Sequence, residues 1–256
     1  MHPIALQLWT VRQAAAADPA ATLRQVAQAG YAGVETAGLY GRTPAQFRKM
    51  LDDVGLVACS AHIAVPTKDN VSEIVDAAGA LGYEMVISGR GPDNFKTADS
   101  ARAVGDEFQA AAELLRPHGL KLGYHNHWWE FEELGGRLAM ELLAERMPSV
   151  FLELDTYWAS NFGKVDVPAF IRRHAGRIPL MHIKDGPLVE DRPHTAVGAG
   201  KVDVPAVIRA ADAKVLRWLI VELDECATDM MQAVRHSADF LAKAKLGKHR
   251  GIESTE

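Results

Sequence analysis

The sequence predicts a single (β/α)8 barrel that spans residues 1–256. Short apolar runs alternate with helical patterns, and eight such strand–helix units follow one another in 256 residues. Strands separated by helices imply a parallel sheet with right-handed crossovers. Eight units in roughly 250 residues favour a closed barrel over an open doubly wound sheet. We find no linker or composition break, and no Gly-x-Gly-x-x-Gly motif of dinucleotide-binding folds after the first strand.

The first four units carry clear start and stop signals. Asp18 and Pro19 are a typical N-cap and first helical residue. Thr43 and Pro44 open the next helix. Glycines after the helical patterns predict their ends. The predicted strands of this half are Pro3–Trp9, Tyr31–Glu35, Leu56–Ile63 and Met85–Ser88.

The second half continues the alternation. A long helix is predicted from Thr97 to His118, and an apolar run through Leu120, Leu122 and Tyr124 forms the fifth strand. The remaining predicted elements are strands Val150–Leu154, Ile178–Ile183 and Trp218–Val221, and helices Leu138–Glu145, Val167–Arg173, Val204–Ala213 and Asp229–Lys245. A polar loop rich in Gly and Pro separates the seventh strand from its helix, and the tail from Gly247 is expected to fray.

Composition and charge exclude several classes of protein. The net charge of -5 and pI near 6.1 argue against nucleic-acid and anionic-membrane partners. Two cysteines, Cys59 and Cys226, make no disulfide framework. We see no signal peptide and no apolar run that approaches ~18 residues. A cytoplasmic protein with a small-molecule substrate is expected, and a homo-oligomer remains open.

Side chains with metal-ligand or acid–base chemistry stand where the predicted strands end. In a barrel of this kind these ends face one mouth. Histidines mixed with carboxylates suit Mn²⁺, Zn²⁺, Co²⁺, Fe²⁺ or Mg²⁺ better than Ca²⁺. A bound divalent ion would polarise a substrate oxygen. The candidates are Gln7, Glu35, His62, His125, Asp155, His182 and Glu222.

Structural explanations compete with these functional ones. A lone buried histidine such as His62 is more often a hydrogen-bonded core residue or substrate wall than a ligand. Asp155 could cap the next helix, and Glu222 could pair with a lysine. Trp9, Trp128, Trp129 and Trp158 could be packing residues or a platform for a sugar ring at the barrel mouth. What favours function is that three consecutive strands, the sixth to the eighth, each end in a ligand type.

Seven segments that follow one another in the chain resemble a known superfamily, and the resemblance covers roughly Ile4 to Leu241. They are QLWTVR, GYAGVE, SAHI, YHNHWWEF, LELDTYW, LMHIKD and VELD. Together they look like the xylose isomerase-like (β/α)8 superfamily of sugar phosphate isomerases and epimerases. That superfamily includes ketose epimerases, inosose dehydratases, hydroxypyruvate isomerases and apurinic endonucleases.

The resemblance implies one divalent ion at the ends of strands five to eight. Carried over by motif, three ligands are Asp155, His182 and Glu222. The fifth strand normally supplies the Glu of a Glu-Asn pair, where this chain has His125-Asn126, so His125 becomes the fourth expected ligand. Ketose epimerases use two opposed glutamate bases, and this chain keeps only Glu222. Glu130 or His127 is a candidate for the missing base.

The resemblance favours a divalent-metal-dependent sugar, keto-sugar or inositol isomerase or epimerase that works through an enediolate. Glu222 or Glu130 would move the proton, and Lys184 and His62 would orient hydroxyls or stabilise the oxyanion. The expected substrate-binding residues are Gln7, Trp9, Glu35, His127, Trp128 and Trp158.

The first alternative is a lyase of the inosose dehydratase type, because one base and one acid suffice for dehydration. A non-catalytic sugar-binding barrel and an apurinic endonuclease rank lower. For the endonuclease, the extra histidines are replaced by ISGRG after the fourth strand and by Trp158 after the sixth.

Overall fold

The computed structural model describes residues 1–248, which form a closed barrel of eight parallel strands. Each strand pairs with its sequence neighbours, and β1 pairs with both β2 and β8, which closes the sheet. The predicted fold class is therefore confirmed. The strands are β1 (His2–Gln7), β2 (Gly33–Thr36), β3 (Val57–His62), β4 (Met85–Ser88), β5 (Lys121–His125), β6 (Phe151–Asp155), β7 (Leu180–Ile183) and β8 (Trp218–Val221).

Helices follow the strands and pack around the barrel. Their ends carry the capping residues that the sequence indicated: Thr43 forms a capping box with Gln46, and Gly55 ends the same helix in the left-handed region. The helices are α1 (Arg12–Ala17), α2 (Pro19–Gln28), α3 (Pro44–Val54), α4 (Val71–Leu81), α5 (Ala98–Leu115), α6 (Ala139–Arg146), α7 (Thr156–Ala159), α8 (Val167–His174), α9 (Val204–Ala210) and α10 (Met230–Lys243).

The structure corrects three local predictions. The long helix predicted to His118 ends at Leu115 and continues as a 3₁₀ turn over Arg116–His118, because Pro117 has no N–H to donate. The short helices α1 and α7 were not predicted. The tail was predicted to fray from Gly247, but Gly247–Lys248 forms a short strand, β9, against the start of β1. The rest of that tail lies outside the described residues.

The inside of the barrel has an apolar lower layer. Ala5, Cys59, Met85, Ile87, Leu180 and Ile220 form a buried cluster of their own, with Phe151 and Trp218 packed against it. Gly123 makes room for this filling, because a Cβ there would lie 2.3 Å from the Phe151 ring. We call these residues the lower layer. They fill the barrel beneath the strand ends, so any site lies above them.

Within residues 1–248, no helix is long and apolar enough to cross a membrane.

Candidate active site

Polar and charged side chains form an upper layer at the carboxyl ends of the strands. Side chains alternate between the two faces of a strand, so residues two apart share the inner face. On β7, Leu180 belongs to the lower layer and His182 to the polar group above it. The upper layer consists of Gln7, Glu35, Ser60, His62, His125, Glu153, Asp155, His182, Lys184 and Glu222.

Two fully buried glutamates, Glu35 and Glu153, lie at the centre of the upper layer. Glu35 accepts hydrogen bonds from Gln7 (2.6 Å) and from the Ser60 hydroxyl (2.5 Å). Glu153 Oε2 lies 2.6 Å from His62 Nε2 and 3.2 Å from His125 Nδ1. The two carboxylates are therefore held in place by short contacts from β1, β3 and β5.

His182 joins these glutamates to the end of β8. Its Nε2 lies 2.7 Å from Glu35 and 3.2 Å from Glu153, and its Nδ1 lies 2.8 Å from Glu222. Burial acts to lower the pKa of His182, but the three surrounding carboxylates outweigh it and raise that pKa well above its usual value. The surrounding carboxylates thus favour the protonated form of the imidazole.

The surroundings of Glu35 and Glu153 shift the pKa values of these two glutamates in opposite directions. Burial, followed by repulsion from Glu153, raises the pKa of Glu35 to about 7. For Glu153, burial also acts upward, but His182 and His62 outweigh it and hold the pKa well below its usual range. Glu35 therefore takes up a proton more readily than Glu153 does.

Lys184 links three carboxylates at the rim of the upper layer. Its Nζ lies 2.9 Å from Asp155 Oδ2, 2.9 Å from Glu222 Oε2 and 2.7 Å from Asp224 Oδ2. Burial opposes its charge, but these carboxylates raise the Lys184 pKa well above its usual value. Lys184 and His182 in turn outweigh burial at Glu222, so the Glu222 pKa lies well below its usual range.

Asp155 and Glu222 combine structural and potential ligand roles. Asp155 Oδ1 caps α7 by accepting from the backbone N–H groups of Tyr157 and Trp158. Its Oδ2 has no hydrogen-bond partner in residues 1–248 and faces the Lys184 ammonium. Both structural explanations considered from the sequence, a cap at Asp155 and a lysine partner for Glu222, are present, and Lys184 also pairs with the second carboxylate oxygen of Asp155.

The side chains of the upper layer could hold a divalent ion in either of two ways. In each group the ligand atoms all lie within 4.8 Å of one another: one contains His125, Asp155, His182 and Glu222, and the other His62, His125, Glu153 and His182. Both groups mix imidazole nitrogens with carboxylate oxygens, which suits first-row divalent ions and Mg²⁺. The residues present therefore fit a metal, and the first group is the one expected from the sequence.

A cavity of about 560 Å³ opens above this layer and is called the main cavity. Its lining includes five of the ten expected substrate-binding and catalytic side chains, namely Gln7, Trp9, His62, His127 and Glu222. His127 lines it with its ring stacked on Trp129, at 4.2 Å between ring centroids. Burial, followed by the nearby His125, lowers the pKa of His127 to about 2, so its ring is neutral. The side chains that line the main cavity include those of Gln7, Trp9, His62, Arg90, His125, His127, Trp129, Glu222 and Asp224.

Glu130 lies apart from the main cavity. Within residues 1–248 it is not part of the cavity lining, and its side chain is fully buried. One oxygen accepts from the Tyr124 hydroxyl at 2.7 Å and the other from the His127 backbone N–H at 2.8 Å. Burial raises the pKa of Glu130 to about 8. Its contacts suit a residue that positions the His127 loop better than one that reacts with substrate.

Trp128 and Trp158 line a second cavity of about 410 Å³, called the aromatic cavity. Of the four tryptophans expected at the mouth, Trp9 and Trp129 line the main cavity and Trp128 and Trp158 the aromatic one. Asp224 lines both. The expected platform residues are thus divided between two neighbouring spaces.

Glu153 and Asp185 have roles that our sequence reading missed. Glu153 precedes Asp155 by two residues, so strand periodicity alone would place both on the inner face of β6. Asp185 holds the loop after β7 together. Its carboxylate accepts hydrogen bonds from the backbone N–H groups of Gly186, Gly198, Gly200 and Val202. The glycines of that loop therefore surround an internal carboxylate.

A family model described as xylose isomerase-like TIM barrel matches residues 23–244. The chain belongs to this family. The match covers seven of the eight barrel strands and all the ligand groups described above, so the resemblance inferred from the sequence motifs is confirmed.

Individual relatives are more distant. An inosose dehydratase from Klebsiella pneumoniae is 27% identical over 187 residues, which is 63% of this chain and 62% of the relative. A sugar phosphate isomerase/epimerase from Parabacteroides distasonis ATCC 8503 is 25% identical, superposes with a TM-score of 0.79 and is matched over 96% of both chains. The IolI protein, solved with a bound zinc atom, is 12% identical with a TM-score of 0.72, over 98% of this chain and 100% of that one.

Proposed function

We propose that the chain is a divalent-metal-dependent isomerase or epimerase of a sugar, keto-sugar or keto-inositol. The observation that carries this proposal is the position of Glu222. It belongs to a group of four possible metal ligands, and it also lines the main cavity. A substrate in that cavity would therefore meet an ionised carboxylate beside the metal ligands.

In this proposal the ion is held by His125, Asp155, His182 and Glu222. A divalent ion bound there supplies a Lewis acid that polarises a carbonyl or hydroxyl oxygen of the substrate. The family membership and the zinc in the IolI structure support the assignment. The mixed nitrogen and oxygen ligands are compatible with Mn, Zn, Co, Fe or Mg.

Glu222 accepts the proton from the carbon next to the carbonyl. Its low pKa keeps it ionised at neutral pH, and Lys184 and His182 fix the orientation of its carboxylate. Lys184 acts on the substrate through Glu222 and Asp155, because its ammonium is shared among three carboxylates. Gln7, Trp9 and His127 line the cavity and contact the sugar.

A lyase of the inosose dehydratase type is the second candidate. One observation favours it: His62 lines the same cavity as Glu222, and its two glutamate neighbours outweigh burial and raise its pKa. A protonated His62 could donate a proton to a departing hydroxyl while Glu222 removes the proton from the adjacent carbon. The Klebsiella relative is named for this activity.

The test is a panel of ketohexoses, ketopentoses and inososes in D₂O with purified protein reconstituted with Mn²⁺, Zn²⁺, Co²⁺, Fe²⁺ or Mg²⁺. NMR follows deuterium at the carbon beside the carbonyl, and ultraviolet absorbance follows enone formation. Metal-dependent exchange with an epimeric or isomeric product supports the first candidate. Metal-dependent enone formation supports the lyase, and a complete lack of exchange on the panel contradicts both.

A further inference from the structure

The aromatic cavity is built for a ring-shaped polar ligand. Trp128, Trp158 and Phe162 line it, and their rings lie close together: the Phe162 centroid is 5.9 Å from that of Trp128 and 6.1 Å from that of Trp158. All three side chains are partly exposed. Partly exposed aromatic faces beside polar groups are the combination that binds sugar rings.

Polar groups surround these rings. Glu190, Asp191, Arg192 and Asp224 also line the cavity. His194, only 3% exposed, accepts from the Asp224 backbone N–H through Nδ1, which leaves the proton on Nε2. That Nε2 has no hydrogen-bond partner in residues 1–248. A ligand rich in hydroxyls would satisfy both the carboxylates and this donor.

The backbone around the cavity is held in an unfavourable conformation. Asn161, Phe162, Leu188 and Asp191 all have positive φ, between 43° and 56°. Two of them, Phe162 and Asp191, line the cavity themselves. Asn161 is fixed by hydrogen bonds from its amide to Phe131 O and to Glu132 Oε1. Left-handed backbone at non-glycine residues is costly and concentrates at ligand-binding positions.

The aromatic cavity and the main cavity share one lining residue and have neighbouring walls. Asp224 lines both. Trp128 and Trp129 are neighbours in the chain with centroids 5.7 Å apart, and each lines one of the two. Lys184, which orients Glu222, lies 5.4 Å from the centroid of Trp158. A ligand that occupies both cavities would therefore pass Asp224.

We propose that the substrate carries a second glycosyl ring, which binds in the aromatic cavity while the reacting keto-sugar occupies the main cavity. This inference rests on the proposed function for the identity of the reacting ring. The second ring stacks on Phe162 and the tryptophans, and its hydroxyls bond to His194 and the carboxylates. An aryl group would stack on the aromatic rings but would leave the buried Nε2–H of His194 without an acceptor.

The test compares one-ring and two-ring ligands by calorimetric titration. The probes are D-fructose and three disaccharides that end in fructose: lactulose, maltulose and isomaltulose. An aromatic contact contributes roughly 2–10-fold in affinity, so at least one disaccharide is expected to bind about fivefold or more tighter than fructose. Phe162→Ala should remove that gain and leave fructose affinity unchanged. Trp9→Ala, in the main cavity, should weaken fructose and disaccharide alike.

Three results would overturn the inference. The first is that no disaccharide binds more tightly than fructose, and the second is that the gain in affinity survives in Phe162→Ala. The third is that the affinity gain of phenyl β-D-glucopyranoside over methyl β-D-glucopyranoside equals that of the disaccharides over fructose. The wild-type comparison stands even if a variant fails to fold. Because the readout is affinity, a disaccharide gain without deuterium exchange would count against the proposed reaction alone. Exchange with fructose and no disaccharide gain would count against the second ring alone.

Discussion

The lower and upper layers of the barrel interior are built from the same strands but from opposite chemistry. On β7 Leu180 and His182 are two residues apart, and so are Ile220 on β8 and Glu222 directly after that strand. In each pair the first belongs to the apolar cluster and the second to the charged group. All four are buried. Burial of the first kind is favourable, at ~25 cal/mol per Å² of apolar surface, whereas burial of the second kind is costly unless each charge is paired.

The comparison indicates that the lower layer contributes mainly to stability and that the upper layer contributes mainly to reactivity. The lower layer needs no partner and no ion. The upper layer brings Glu35, Glu153, Asp155 and Glu222 together and relies on Lys184 and two histidines for compensation. Groups with perturbed pKa values collect at functional sites for this reason. Changes in the upper layer should therefore affect turnover, and changes in the lower layer should affect stability.

The largest expected effect is on turnover in Glu222→Gln. The amide is nearly isosteric with the carboxylate, so the fold should persist, but it cannot accept a proton at neutral pH. General-base contributions are typically ~10²–10⁴-fold, and we expect turnover to fall by about that factor with metal bound. Steady-state kinetics on the active member of the sugar panel measures the change.

Glu130→Gln is the matched control for that variant. Glu130 is as buried as Glu222 but does not line the main cavity in residues 1–248. The Glu130→Gln variant should bind the metal as wild type does and should keep most of the wild-type turnover. Loss of solvent exchange in Glu130→Gln with retention in Glu222→Gln would transfer the base role to Glu130.

Leu180→Ala should show the reverse pattern. Leu180 is fully buried in the lower layer, and truncation of such a leucine leaves a cavity that costs about 2–5 kcal/mol of stability. Chemical denaturation measures this loss. Turnover per folded molecule should change by less than tenfold, because no upper-layer residue is removed. A turnover loss comparable to that of Glu222→Gln would show that the two layers are not separable.

A smaller effect concerns pH and Glu130. Its folded pKa of about 8 lies above the ordinary glutamate pKa of 4.5, so the native state binds more protons than the unfolded state between those values. The stability that this group contributes is complete below pH 4.5 and is lost as pH rises to about 8. Glutamine does not titrate. Thermal unfolding should therefore show wild type losing stability relative to Glu130→Gln between pH 5 and 8.5, and parallel curves would contradict the assignment.

Most of the fold could be predicted because its signals are local. Asp18 and Thr43 cap helices where the sequence indicated, and the alternation of apolar strands with helices suffices for a parallel barrel. The end of the long helix before Pro117 was missed although proline is a local signal, and the pairing of Gly247 with His2 was missed because it is a contact between distant parts of the chain.

The site residues at the carboxyl ends of the strands could be predicted from the sequence, whereas those inside the strands were harder to predict. Motif order indicated Asp155, His182 and Glu222, whose ligand atoms the structure brings together with that of His125. Glu153 was missed because only the residues at the strand tips were considered, although it stands two residues before Asp155 and therefore shares its face of β6. The division of the tryptophans between two cavities depends on loop conformations such as the positive φ of Phe162, which sequence patterns do not determine.

The most direct test of the central claim is the titration of metal-free protein with Mn²⁺ and with Zn²⁺, in wild type, Asp155→Asn and Glu153→Gln. Asparagine keeps the α7 cap oxygen but removes one of the two carboxylates of the first ligand group, whereas Glu153 belongs only to the second. We predict one ion per wild-type chain, affinity at least about tenfold weaker in Asp155→Asn, and a smaller loss in Glu153→Gln, because Glu153 contacts the ligands His125 and His182. No ion in wild type, or a loss confined to Glu153→Gln, would contradict the account.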